Sequence, residues 1–162
     1  MSQPIARHHP PDDPALTGVL DLIHGSFAYM EGRIDPPSSV RDLTLAMLSQ
    51  QAQEGEVWSL GCTGGHPLAC MVLTPKPKAL YLGKIATRRS HRGLGLSRQL
   101  IGIAKTRARA RGLSQLDLQS RVELTQVHAR FAALGFVQTG LTTHAGYARP
   151  TSITMTLKLD RP

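Results

Sequence analysis

The sequence predicts an α/β fold, with a mixed central sheet of about six to seven strands flanked by four helices. Three observations predict it. Apolar residues change period repeatedly along the chain, so helical and strand patterns interleave. Glu56–Cys62, Leu68–Thr74 and Leu80–Thr87 are successive apolar runs divided by turn signals, a strand meander. The stretch Ala79–Gly112, ALYLGKIATRRSHRGLGLSRQLIGIAKTRARARG, reads as a strand, a basic glycine-bearing turn and a helix.

Taken in order, residues 3–8 form a short edge strand around Ile5. Asp13 followed by Pro14 starts a helix, a capping side chain and then proline at the first helical position. Leu16, Val19, Leu20, Ile23, Phe27 and Met30 recur at helical spacing, and Gly32 closes that helix. Arg33-Ile-Asp-Pro-Pro-Ser-Ser39 is a link stiffened by two prolines. Ser39 and Asp42 carry the capping signature of a second helix, with Leu43 and Met47 turned inward and Gly55 past its end. Thr63-Gly-Gly-His-Pro67 is a hairpin turn, and Thr74-Pro-Lys-Pro-Lys78 a second turn. After the central helix, Leu116–Ser120 alternates as a strand. Leu124, Val127, Phe131 and Leu134 repeat as a helix that Gly135 ends, and Phe136–Leu141 is a strand. Ile153, Met155, Leu157 and Leu159 alternate with polar residues in the last strand. Thr142–Thr151 before it is a polar loop carrying His144 and Tyr147. The order is strand, helix, helix, three strands, helix, strand, helix, two strands, read as one domain over residues 1–162.

The chain has 162 residues and 41% apolar content, enough for one core. No apolar run approaches the ~18 residues needed to span a membrane, and Met1–Pro11 is too polar for a secretory signal. Cys62 and Cys70 form no disulfide framework and have no zinc spacing, so a reduced, cytoplasmic protein without a metal site is expected. The two thiols could face each other across a hairpin, which spacing does not decide. The formal charge is +8 and the pI about 10.2, a balance that suits an anionic partner. Only 4% of residues are aromatic, too few stacking rings for a single-strand binder, so nucleic acid is disfavoured. Arg98, Arg107, Arg109 and Arg111 read as a solvated helix face.

The turn before the central helix has the makings of an anion trap. First-turn amides lack intrahelical partners and carry partial positive charge. Glycine lets the main chain approach a diphosphate, and Arg92, with Arg88 and Arg89, adds full charges. The plainer alternative is a tight turn with a solvated basic rim.

Arg92-Gly-Leu-Gly-Leu-Ser97 resembles the Gln/Arg-x-x-Gly-x-Gly/Ala loop of the GCN5-related N-acetyltransferases (GNAT), with Ser97 in place of the last small residue. Phe131-Ala-Ala-Leu-Gly-Phe136 is similar to that family's Tyr-x-x-Leu-Gly-Phe, and the order of elements matches over essentially the whole chain. The resemblance implies a GNAT fold and an acetyl-CoA-dependent N-acetyltransferase. Arg92, Gly93, Leu94, Gly95, Leu96 and Ser97 would hold the diphosphate of coenzyme A, and Ile85, Ala86 and Thr87 the pantetheine. In such proteins the link between the first two helices borders the acceptor pocket, which offers Arg33, Asp35, Ser38 and Ser39, with His144 from the later loop. The partner implied is a small-molecule or peptide amine, and a homodimer is compatible with the sequence. A coenzyme-A-binding sensor or subunit without catalysis is the alternative.

Acetyl transfer requires a neutral amine, an oxyanion donor and an acid for the leaving thiolate. The family's proton-donating tyrosine aligns with Phe131, its asparagine with Leu124, and the central strand has no Glu. Glu123 is the substitute expected as base and Tyr147 the substitute expected as acid. The structural alternatives are a solvated carboxylate at a helix start and a ring packed over the pocket mouth.

Overall fold

Chain order and sheet order part company only at one end. Strands β1 (Ile5–His9), β2 (Glu56–Gly61), β3 (Pro67–Pro75), β4 (Leu80–Thr87), β5 (Gln115–Arg121), β6 (Val137–Thr142) and β7 (Ser152–Lys158) form one sheet. Its order is β1-β2-β3-β4-β5-β7-β6. The computed structural model describes residues 3–62 and 65–160, so Thr63 and Gly64 of the expected hairpin turn lie outside the described residues. Every neighbouring pair is antiparallel except β4 and β5. Those two run parallel because α3 (Leu96–Ala110) carries the chain back between them.

Alternation along β3 divides the core. Ala69, Met71 and Leu73 face one side with Leu80, Leu82 and Leu116, where Leu100, Ala104 and Ala108 of α3 cover them. Phe131 and Leu134, in and just past α4 (Thr125–Ala133), pack against that cluster beside the buried Phe136. Cys70 and Val72 face the other side, where α1 (Leu16–Phe27) and α2 (Leu45–Glu54) deliver Val19, Ile23, Leu48 and Ala52. Each fully buried Leu or Ile in these clusters contributes about 1.5–3 kcal/mol.

The second helix starts later than its capping residues suggest. Ser38 accepts from the Val40 N–H and caps a short 3-10 turn, Ser39–Asp42, and Thr44 then caps α2 through the Met47 N–H. That shift in phase turns Met47 outward, at 47% exposure, while Leu43 stays buried. Cys70 sits opposite Ser59 rather than Cys62, and both cysteines are free.

Two buried polar clusters fasten the β1–β2 end of the sheet to its helices. His9 lies between Asp13 (Nδ1 to Oδ2, 2.9 Å) and Ser59 (Nε2 to Oγ, 2.7 Å), which ties β1 to β2 and to the start of α1. Burial lowers the His9 pKa against the pull of Asp13. The Ser–His–Asp order is that of a nucleophile relay, but His9 and Ser59 are 2% and 5% exposed and neither cavity described below reaches them. The second cluster corrects the reading of Arg107 and Arg111 as a solvated face. Their Nε groups each donate at 2.7 Å to Glu56, which is 2% exposed and also accepts from Trp58 Nε1 at 2.9 Å.

Candidate active site

The parallel pair β4/β5 is joined over three residues only, Leu80–Leu82 against Leu116–Leu118. Beyond them the strands diverge, and the backbone edges of Gly83–Thr87 and Gln119–Arg121 border a cavity of about 410 Å³. That volume lies in the range of small-molecule sites. β4 is itself irregular here: its register with β3 slips between Cys70 and Val72, and Lys84 takes φ +50°. The left-handed region costs a residue with a Cβ roughly 1–2 kcal/mol.

The N-terminus of α3 stands at the wall of this cleft. Gly93 and Gly95 have φ +80° and +81°, a conformation suited to glycine. The first intrahelical bond runs from Gln99 to Gly95, and no side chain caps the helix. The amides of Leu96, Ser97 and Arg98 are therefore left for an outside acceptor. Arg92 and Ser97 line the cavity. The Arg92 and Arg33 guanidiniums stand over the Tyr29 ring at 5.3 and 5.7 Å. Arg88 is committed to the scaffold, donating to the Pro67 carbonyl at 3.1 and 3.3 Å. Arg33, Arg88, Arg89, Arg92 and Arg130 together border a second recess of about 720 Å³ between α1 and the start of α4.

Of the residues singled out in the sequence, Ile85, Ala86, Thr87, Arg92, Ser97, Ser38, Ser39 and His144 line the main cavity. Arg33 and Glu123 line the second recess, and Asp35 and Tyr147 line neither. Asp35 is the hub of a strap. Its carboxylate accepts from Tyr147 Oη at 2.6 Å and from Arg149 at 3.2 Å, and its N–H donates to Glu123 Oε2 at 3.1 Å. Arg121 donates to the carbonyls of Pro36 and Pro37. The link between the first two helices is thus tied across the cleft to the end of β5 and to the β6–β7 loop. The Asp35 carboxylate raises the Tyr147 pKa, which makes that hydroxyl a weaker acid.

Several lining residues were not singled out from sequence. Tyr81, Lys84, Arg121 and Arg130 all border the cavity. Burial raises the Tyr81 pKa, against the Gln119 N–H that favours the phenolate. Lys84 is half-buried, and burial lowers its pKa. Its signal was present in the sequence, since it is the single charge in the apolar run Leu80–Thr87. Among the described residues no Asp or Glu lines the cavity. Leu124 and Phe131, which border it, bring no proton.

The model of the acetyltransferase (GNAT) family matches residues 22–136. No curated protein sequence matches the chain. Among solved structures, an acetyltransferase from Streptococcus agalactiae is 18% identical, with 98% of this chain and 100% of that one covered and a TM-score of 0.74. A GNAT family acetyltransferase from Listeria monocytogenes is 18% identical over 98% and 99% of the two chains, with a TM-score of 0.73. A GNAT family acetyltransferase from Elizabethkingia anophelis, solved with acetyl-CoA bound, is 16% identical over 98% and 100%, with a TM-score of 0.72. At these identities the likeness is one of fold. Among the described residues no helix is long and apolar enough to cross a membrane, and no group of three potential metal ligands occurs.

Proposed function

Because the chain belongs to the GNAT acetyltransferase family, we propose that it transfers the acetyl group of acetyl-CoA to the amine of a small molecule or peptide. One observation carries this reading: the start of α3 has no side-chain cap, and its Ser97, with Arg92 just before the helix, lines the cleft where β4 and β5 part. Bound acetyl-CoA supplies the activated acyl group. In this reading Arg92 and the backbone of Gly93 to Ser97 hold the diphosphate. Ile85, Ala86 and Thr87, on the strand edge that β5 leaves unpaired, align the pantetheine as a neighbouring strand would. A backbone N–H of the irregular stretch Lys84–Thr87 donates to the oxyanion.

Proton transfer falls to His144 in this reading rather than to Glu123 or Tyr147, which engage Asp35. The Thr151 hydroxyl lies against His144 Nδ1 and within 3.4 Å of the Thr142 carbonyl. With its own proton directed to that carbonyl, the Thr151 oxygen accepts a hydrogen bond from Nδ1–H, and Nε2 keeps a lone pair for the amine. Ser38, Ser39 and Val40 form the acceptor side of the same cavity.

The absence of a proton donor at Phe131 favours one other reading, a coenzyme-A-binding module without turnover. Calorimetry with coenzyme A and thiol release from acetyl-CoA with a panel of amines separate the two. We expect both heat and amine-dependent thiol. Heat without thiol from any amine favours the module. No heat from folded protein removes both.

A further inference from the structure

We propose that the acceptor carries an anionic group beside its amine, and that Lys84 is the residue that holds it. This rests on the acetyltransferase reading above and narrows it to a class of substrate.

The charge lining the main cavity is one-sided. Lys84, Arg92, Arg121 and Arg130 border it, and among the described residues no carboxylate does. Three of these cations have other work. Arg92 belongs to the loop assigned to the diphosphate, and Arg130 also borders the second recess, where Asp21 and Glu123 lie. Arg121 spends its guanidinium on the Pro36 and Pro37 carbonyls. Lys84 remains. Three residues of extended chain, about 10 Å, separate it from Thr87 at the end of the strand, so it sits away from the diphosphate loop. Among the described residues its ammonium is in no ion pair.

Its backbone sharpens the point. Lys84 holds a left-handed φ where glycine would be free of strain, in a strand whose other side chains are uncharged. The conformation comes with the slipped register of β3 and β4, and strained positions of this kind cluster at ligand sites. A half-buried ammonium without a counter-ion is stabilised by an anion brought to it, and burial already lowers its pKa in the absence of one. The same positive lining repels polycations and favours the neutral form of a bound amine, the form that attacks. The apolar wall of Phe27, Met30, Ile34 and Val40 suits a hydrocarbon side chain. An apolar α-amino acid, or a peptide with a nearby carboxylate, has this combination.

The test compares leucine, methionine and phenylalanine with their amides and decarboxylated amines, and with spermidine, in the thiol-release assay. The acids should exceed their amides by roughly 10- to 100-fold in kcat/KM. In Lys84→Met the acids should lose that advantage, and Lys84→Arg should keep part of it. In parallel, calorimetry on protein loaded with coenzyme A should detect N-acetyl-leucine binding that Lys84→Met weakens by a similar factor. Neutral amines or spermidine as the best substrates overturn the proposal and leave the acetyltransferase reading standing. An acid preference that survives in Lys84→Met does the same. Lys84-dependent binding of the carboxylate with no thiol from any amine supports the anion site and removes the transferase.

Discussion

Arginine stands at both ends of helix α3, and the two ends differ in what they face. At its C-terminal end Arg107 and Arg111 each donate through Nε to the buried carboxylate of Glu56, which also accepts from Trp58. At its N-terminal end the first-turn amides have no side-chain cap, and Arg92 and Ser97 line a cleft that no carboxylate borders among the described residues. The residue types are alike and the physics is opposite. A cation satisfied by the protein's own anion fastens the scaffold, and a cation left facing a cavity is available to a ligand. The +8 charge of the chain therefore says little until each arginine is traced to its partner.

Breaking the closed end should cost the most stability. Glu56→Gln leaves the Arg107 and Arg111 heads without a counter-charge, and we expect a loss of roughly 2–4 kcal/mol by denaturant unfolding. Acid should act through the same group. Burial alone would push the Glu56 pKa up, but the bonds from Arg107, Trp58 and Arg111 together bring it from 4.5 to about 2. Its stabilisation is whole above pH 4.5 and is lost as pH falls toward about 2. The unfolding midpoint of Glu56→Gln should accordingly depend less on pH in that window.

The open end should answer differently. Arg92→Ala should raise the calorimetric Kd for coenzyme A by about tenfold while the unfolding midpoint stays put. A midpoint that falls with binding intact would make Arg92 a second fastener and erase the contrast. Smallest of all is the strap. Tyr147→Phe removes one exposed bond to Asp35, so the acceptor KM should move by no more than about threefold, with kcat retained. A fall in kcat of about a hundredfold would instead make Tyr147 the acid.

Local pattern in the sequence was enough for the strands. The apolar run Leu80–Thr87 is β4 residue for residue, and the alternation from Ile153 onward is β7. The glycine turn was readable for the same reason, because Gly93 and Gly95 act through their own backbone. What escaped were properties of pairs distant in the chain. Arg107 and Glu56 are 51 residues apart, and Tyr147 and Asp35 are 112 apart, so no helical wheel exposes either bond. Lys84 stood out as a lone charge, but its conformation follows from the slipped register between β3 and β4. The start of α2 was misjudged because Ser38 and Thr44 both cap, and the first cap serves only a 3-10 turn.

The three-residue joint between β4 and β5 makes the sheet two leaves sharing a short spine. One leaf holds β1–β4 and the other β5–β7, and α3 bridges them on one face. A ligand lying between Ile85–Thr87 and the far edge would finish the interrupted seam, and amide hydrogens there should then exchange with solvent more slowly. Occupancy of the cleft and rigidity of the whole sheet are in that sense one quantity.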